Sequence, residues 1–132
     1  MLVLLIDDDR DDCEIFNEAL SELIPDAACL VANDCETALE LLVHKLFALP
    51  DVIFLDINMP VMDGKKCLAE IRKKSRLEKI PVILYSTSIC EEDRKEVGAF
   101  GAKCVVKPCT YADLKKTIAT VLIGITSLKT QL

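Results

Sequence analysis

The chain of 132 residues has the length of one domain and is long enough to bury a hydrophobic core. With 52% hydrophobic and 29% charged residues, its composition excludes an intrinsically disordered protein. The formal net charge of −6 argues against direct nucleic-acid binding, and no stretch approaches the roughly 20 apolar residues that span a bilayer. We therefore expect a cytoplasmic domain that binds neither nucleic acid nor a membrane.

Seven cysteines, none of them in a C-x-x-C pair, favour neither a disulfide framework nor a zinc knuckle. We expect them to be buried thiols in a reducing compartment. The basic run RKKSR (72–76) and the single histidine, His44, are interpreted as solvated helix surface rather than as binding sites.

Five apolar runs of strand length occur along the chain, each bounded by polar or turn residues. They are Leu2–Ile6, Ala28–Ala32, Val52–Leu55, Val82–Tyr85 and Cys104–Val106. Most of these runs are nearly continuous rather than alternating, which is typical of strands that are covered on both faces.

A segment with the helical spacing of apolar residues follows each of these runs. Polar residues suited to capping a helix N-terminus precede three of the segments: Asn33 or Asp34 the second, Asp63 the third and Thr110 the fifth. Strict alternation of strand and helix predicts an α/β fold with a single five-stranded parallel sheet, right-handed crossovers and helices on both faces.

Polar side chains stand where the predicted strands end. Asp7 and Asp8 follow the first strand and Asp56 follows the third, whereas Ser86 and Lys107 follow the fourth and the fifth. In an open parallel sheet ligands bind outside the carboxyl ends of the strands, so these side chains should converge there. Three other acidic residues are interpreted as charges that favour the N-terminus of the first helix: Asp9, Asp11 and Asp12.

The residue types at this edge suit phosphoryl chemistry. Clustered carboxylates favour a hard divalent cation, and Mg²⁺ in particular because it keeps several waters and shares phosphate oxygens. An ionised Asp56 is a competent nucleophile toward phosphorus. The Ser86 hydroxyl would then hold a phosphoryl oxygen, and the Lys107 ammonium would neutralise charge on the transferring group.

From about Leu2 to Ile123 the chain resembles the receiver domain of two-component response regulators. The motifs that carry the resemblance are LLIDDD, DVIFLDINMPVMDG, IPVILYSTS and VVKP. They are most similar to those of small stand-alone receivers that work beside bacterial hybrid or phytochrome-like kinases. The resemblance implies a flavodoxin-like, doubly wound (βα)5 fold with strand order 2-1-3-4-5, forming one domain over residues 1–132 in which SLKTQL is a short tail.

The resemblance also implies a magnesium site. Mg²⁺ would bind the carboxylates of Asp8 and Asp56 and the backbone carbonyl of Asn58. Asp7 would bind the same ion mainly through a water molecule.

The phosphoryl group would reach Asp56 from a phosphohistidine on a histidine kinase or a phosphotransfer protein. Ser86 and Lys107 would contact the bound group, and the Lys107–Pro108 peptide bond would be cis, as proline permits. The domain would catalyse its own phosphorylation and slow dephosphorylation, and it would act mainly as a signalling switch.

The first helix would face the kinase, and the fourth helix, fifth strand and fifth helix would face a separate downstream target. Two positions depart from the family pattern: Cys104 stands where an aromatic ring usually reports phosphorylation, and Thr87 stands where Ala or Gly is common, which should alter autodephosphorylation. Late in the fifth helix, Ile123, Ile125 and Leu128 suit either a homodimer interface or packing on the protein's own sheet.

Two other functions fit parts of the pattern. A phosphorylation-independent interaction module would share the fold, but the intact Asp8, Asp56 and Lys107 set disfavours it. An aspartate-nucleophile phosphatase would place its nucleophile on the first strand, where Asp7 and Asp9 have the required spacing, but it would leave Asp56 without a role and needs a longer chain.

Overall fold

The computed structural model describes residues 1–45 and 47–130, with the backbone alone for residues 127–130. Strands and helices alternate along these residues, as the sequence predicts. The strands are β1 (Leu2–Ile6), β2 (Ala28–Ala32), β3 (Val52–Leu55), β4 (Val82–Ser86) and β5 (Lys103–Val106). The helices are α1 (Arg10–Leu23), α2 (Cys35–Glu40), α3 (Gly64–Arg72), α4 (Glu91–Gly98) and α5 (Tyr111–Thr130), with a π-helical turn at Leu41–Lys45 and a 3₁₀ turn at Ser75–Leu77.

The strands form one parallel sheet in the order β2-β1-β3-β4-β5, which confirms the predicted fold class and strand order. The central strands β1, β3 and β4 are buried almost throughout. This explains their continuous apolar sequences, because both faces of each strand are covered by helices. The bounds of β1, β2 and β3 are those predicted, while β4 and β5 are each one residue longer.

A hydrophobic core lies on each face of the sheet. On one face, residues of α2, α3 and α4 pack against side chains such as Leu4 and Ile53. On the other face, α1 and α5 pack around Phe16, Phe54 and Tyr85, whose rings meet edge to face with centroids 4.9 to 6.0 Å apart. Such aromatic pairs add specific geometry to the burial of apolar area.

The predicted helix caps are confirmed. The carboxylates of Asp34 and Asp63 accept hydrogen bonds from backbone N–H groups three residues later, at the starts of α2 and α3. Asp9, which was predicted only as a charge near the start of α1, caps that helix in the same way. The Thr110 hydroxyl accepts from the backbone N–H of Asp113 in the same way. Each cap satisfies a donor that has no partner within its helix.

The expectation that all cysteines are thiols is wrong for one pair. Cys35 of α2 and Cys67 of α3 form a disulfide, while the other five cysteines are free. Two of these five, Cys90 and Cys109, are exposed rather than buried as expected. The pairing follows from packing, because α2 and α3 lie on the same face of the sheet and bring the two Cα atoms to 5.7 Å, a separation that a disulfide spans.

The last helix continues to Thr130, beyond residue 123 where the core was expected to end, and residues 131 and 132 lie outside the described part. Ile125 is buried against the protein's own core, whereas Ile123 is exposed; the side chain of Leu128 lies outside the described residues. In the described ranges, no helix has both the length and the apolar character that crossing a bilayer requires.

The turn before α3 brings two backbone segments into close contact at Gly64. The Gly64 N–H donates to the carbonyl oxygen of Ile57 at 2.8 Å, and a Cβ atom at Gly64 would overlap the backbone carbonyl of Asp56. Glycine is therefore required here by space rather than by a left-handed backbone conformation.

Gly64→Ala should lower the free energy of unfolding by about 1–3 kcal/mol, because the added methyl group overpacks this contact. Gly124→Ala is the matched control, since a Cβ atom there meets nothing within 4 Å and alanine should stabilise α5 by up to about 1 kcal/mol. Urea unfolding of the two variants measures both effects. Wild-type stability of Gly64→Ala would contradict the close packing.

Candidate functional site

Three carboxylates meet at the carboxyl edge of the sheet. Asp7 and Asp56 directly follow β1 and β3, which are paired so that Ile6 lies beside Leu55. Carboxylate oxygens of Asp7, Asp8 and Asp56 all lie within 4.8 Å of one another. Asp7 and Asp56 are buried while Asp8 is exposed, so the cluster is open to solvent on one side.

The Lys107 ammonium lies among these carboxylates. Its Nζ atom is 2.7 Å from Asp7 Oδ2, 2.9 Å from Asp12 Oδ2 and 3.4 Å from Asp56 Oδ2, and its side chain is only 8% exposed. The lysine reaches this position from the end of β5, where its backbone N–H donates to the carbonyl of Ser86 at 2.8 Å. The structure therefore brings together the predicted carboxylates and the predicted cation.

Asp12 also contacts Lys107, and its interpretation as a helix-terminal charge alone is incomplete. Asp9 caps α1, which places Asp12 in the first turn of the helix. Side chains of a helix point toward its N-terminus, and here that end lies at the carboxyl edge of the sheet. The spacing between cap and carboxylate was the signal in the sequence that could have assigned Asp12 to the site.

Burial and ion pairing act in opposite directions on the charged groups here. Burial raises the pKa of Asp7 to about 6, although its hydrogen bond from Lys107 works against that increase. Burial also disfavours the charged form of Lys107, but hydrogen bonds to Asp7 and Asp12 outweigh it and raise the pKa of the lysine. Lys107 therefore remains an ammonium at neutral pH.

Ser86 is linked to Asp56 through Asn58. The Asn58 backbone N–H donates to Asp56 Oδ1 at 3.0 Å, and the Asn58 side-chain amide donates to the Ser86 hydroxyl, also at 3.0 Å. Ser86 is fully buried at the end of β4. The side chain of Asn58, to which the resemblance assigned only a backbone role, thus connects the loop after β3 to the neighbouring strand.

Asn33 supports the backbone of the site. Its side-chain amide donates to the carbonyl of Asp7 at 2.9 Å, while Asp34 beside it caps α2. The sequence predicted that either Asn33 or Asp34 caps α2. In the structure Asp34 is the cap, whereas Asn33 binds the backbone of Asp7. The N-terminal end of α2 is therefore fixed directly to the segment that carries Asp7.

Three further expectations concern positions around the site. The Lys107–Pro108 peptide bond is trans, so the cis form expected for it is wrong; trans is the form of lower energy even before proline. Cys104 is half-buried on β5 against the core beside α4, and Thr87 is exposed directly after Ser86.

The donor set suits a divalent metal ion. All three clustered groups supply oxygen, which Mg²⁺ and other hard cations prefer, and the exposed Asp8 leaves an approach from solvent. Two buried carboxylates beside a single ammonium also retain uncompensated negative charge, which a cation would neutralise.

An acidic cluster and a lysine at the carboxyl edge of a (βα)5 sheet define the receiver class of signalling domains. The family model of the response regulator receiver domain matches residues 3–119, and the chain belongs to that family. The same fold occurs in the crystal structure of the phosphorylated cyanobacterial phytochrome response regulator RcpA, with a TM-score of 0.80 and 27% identity over 91% of this chain and 89% of that one.

A second relative is response regulator Rcp1 of Synechocystis, which is 31% identical over 70% of this chain and 65% of its own length. A structure of the Mn²⁺-bound form of Rcp1 has a TM-score of 0.78, with 27% identity over 91% of this chain and 90% of that one. The chain spans less than two thirds of the length of the first curated relatives that it matches.

Receiver domains are also related to sensor histidine kinases. The kinase CheAY of Helicobacter pylori contains a segment that is 33% identical over 70% of this chain, corresponding to 11% of the kinase. The family to which this chain belongs is therefore connected to histidine kinases and two-component systems.

Lys107→Met should lower the free energy of unfolding by about 3 kcal/mol or more, because it leaves buried carboxylates without their cation. Lys115→Met is the control: it removes an ion pair with Glu22 whose side chains are 37% and 50% exposed. That loss should stay below about 1 kcal/mol. Equal losses in urea unfolding would show that the buried ammonium has no special structural role.

Proposed function

We propose that this chain is a stand-alone receiver that takes a phosphoryl group on Asp56 from a phosphohistidine of a partner and works as a phosphorylation switch. The observation that supports this most strongly is the placement of Asp56, with two other aspartates and a buried ammonium at one sheet edge. A histidine kinase or phosphotransfer protein is the donor, and the setting is the cytoplasm.

In the transfer, an Asp56 carboxylate oxygen forms the new bond to phosphorus as the phosphorus–nitrogen bond of phosphohistidine breaks, and the released imidazole takes up a proton. Lys107, already 3.4 Å from Asp56, stabilises the negative charge of the transferring group. Ser86 then turns its hydroxyl from Asn58 toward a phosphoryl oxygen. This exchange of partners is the local event of the switch.

Asp8, Asp56 and the backbone carbonyl of Asn58 would hold Mg²⁺, with Asp7 acting through water. The clustering of the three carboxylates supports this assignment, as does the Mn²⁺-bound form of the similar regulator Rcp1. When bound, the ion supplies positive charge that offsets the charge of the carboxylates and of the phosphoryl oxygens.

Phosphorylation shifts the population of the loop at residues 86–92 and of α4 between two arrangements. The surface of α4, β5 and α5 is read by a separate target protein, and α1 beside the acidic site faces the kinase. Ile123, exposed on α5, also permits a homodimer through this surface, while Ile125 is already used in the core.

Wild-type protein incubated with Mg²⁺ and acetyl phosphate, or with beryllofluoride, should gain one stable adduct, measured by intact mass and by fluorine NMR. Asp56→Asn should stay folded and gain none, because the amide is not a nucleophile. A folded wild type that forms no adduct would favour the interaction module. Turnover of small phosphomonoesters that survives Asp56→Asn would favour the phosphatase and contradict this proposal.

Asp8→Ala should weaken Mg²⁺ and Mn²⁺ binding by more than about tenfold, since even the loss of outer-shell partners commonly costs that much. Asp11→Ala is the matched control, because Asp11 is an exposed acid in the first turn of α1 and gives the same change in charge. Isothermal titration calorimetry is the suitable measurement, since the chain has no tryptophan to report binding. Unchanged affinity of Asp8→Ala would contradict the assignment.

A further inference from the structure

The disulfide between Cys35 and Cys67 joins the first turns of two helices. Cys35 is the first residue of α2, and Cys67 lies one turn into α3. Both side chains are almost completely buried, at 2% and 0% exposure. The link is therefore an interior connection between helices that lie side by side on one face of the sheet.

Each cysteine of this disulfide is close in sequence to a residue that holds the backbone of the acidic site in place. Two residues before Cys35, the Asn33 amide holds the carbonyl of Asp7 at 2.9 Å. Three residues before Cys67, Gly64 packs against the backbone of Asp56. The covalent link thus connects the two segments that position the buried carboxylates of Asp7 and Asp56.

The α2 side of this connection has little stability of its own. α2 is six residues long and passes directly into a π-helical turn at Leu41–Lys45. An isolated helix of this length is unstable in water, so α2 depends on its tertiary contacts, and short elements of this kind open locally at low cost. Breaking the link should loosen this end of α2 more than it loosens α3.

We propose that Cys35 and Cys67 are a reversible oxidation site that regulates the acidic site by tethering α2 to α3. A hydroperoxide is the oxidant class that suits the site, because it is small enough to enter a packed interior. A dithiol is the class of reductant that restores the two thiols.

The oxidation balances in two steps. One thiolate attacks the peroxide oxygen, which forms a sulfenic acid, breaks the O–O bond and releases water or an alcohol. The second thiol attacks that sulfur, the S–S bond forms and water leaves, so two electrons have passed to the peroxide. In the reverse direction a dithiol attacks the disulfide, gives up two electrons and forms its own disulfide.

The five other cysteines lie away from the contact of α2 with α3. Cys104 is on β5, the edge strand farthest from β2 in the sheet. Cys13 and Cys29 belong to the core on the opposite face of the sheet from Cys35 and Cys67. Cys90 and Cys109 are exposed in the loops that precede α4 and α5, away from the α2 to α3 contact. They provide a control for oxidation that does not involve the tether.

The chemical part of the test maps the crosslink. Air-oxidised and hydroperoxide-treated full-length protein is alkylated, digested with trypsin and analysed by fragmentation mass spectrometry. We expect the peptide CLAEIR (67–72) to be joined to the peptide of residues 11–45, with the fragment ions placing the link at Cys35 rather than at Cys13 or Cys29, and the link to be broken by dithiothreitol. If no such crosslink forms under either condition, the proposal is wrong.

The regulatory part compares oxidised and reduced wild type by Mn²⁺ affinity, by amide hydrogen exchange of residues 33–40, and by the rate of beryllofluoride adduct formation. We expect faster exchange in the reduced form and a change of at least about fivefold in affinity or rate, the lower end of typical coupling between two sites. Cys35→Ala/Cys67→Ala should match the reduced form and lose the response, whereas Cys90→Ser/Cys109→Ser should keep it.

Only the adduct rate rests on the proposed function. Absence of an adduct in both redox forms would contradict phosphorylation at Asp56 and leave metal affinity and hydrogen exchange to decide the role of the disulfide. If metal affinity and hydrogen exchange are each the same in the oxidised and the reduced wild type, the regulatory role is wrong. This comparison needs no variant to fold.

Discussion

The arrangement of the site depends on one interaction, the contact of the Lys107 ammonium with the carboxylates of Asp7 and Asp56. Removing such charges from water is costly, and only close pairing with good hydrogen bonds offsets the cost. The lysine comes from β5 and the acids come from β1 and β3, so its side chain must cross the end of β4. The ion cluster therefore depends on the strand order, which brings the ends of these three strands to one edge of the sheet.

Much of the fold could be predicted because local sequence and tertiary structure agree. A strand covered on both faces needs apolar residues throughout, so the continuous runs predicted the bounds of β1 and β3 without error. Asp34 and Asp63 cap helices where a free backbone N–H needs an acceptor, which is also a local requirement. The position of Asp7, Asp56 and Lys107 at strand ends then fixed the site through the topology rule alone.

The features that the sequence did not reveal depend on distances between elements. Nothing local distinguishes Cys35 and Cys67 from the five other cysteines, since their pairing follows from how closely α2 and α3 pack. The spacing of Asp12 from the Asp9 cap indicates the end of α1 on which it lies, but its contact with Lys107 depends on the direction of α1 relative to β5. The side chain of Asn58 contacts Ser86 because β3 and β4 are neighbours in the sheet, although the two residues are 28 positions apart in the sequence.

The contacts around Ser86 bear on how a change at Asp56 can reach the surface without an aromatic ring at position 104. Asp56 accepts from the Asn58 backbone, and the Asn58 side chain holds the Ser86 hydroxyl. The carbonyl of Ser86 in turn accepts from the backbone of Lys107 at the end of β5. Under the proposed function, a phosphoryl group that drew Ser86 away from Asn58 would act on a residue already joined to β5 through the main chain. The half-buried Cys104 side chain takes no part in that main-chain connection, so the proposed switch would not require an aromatic ring at position 104.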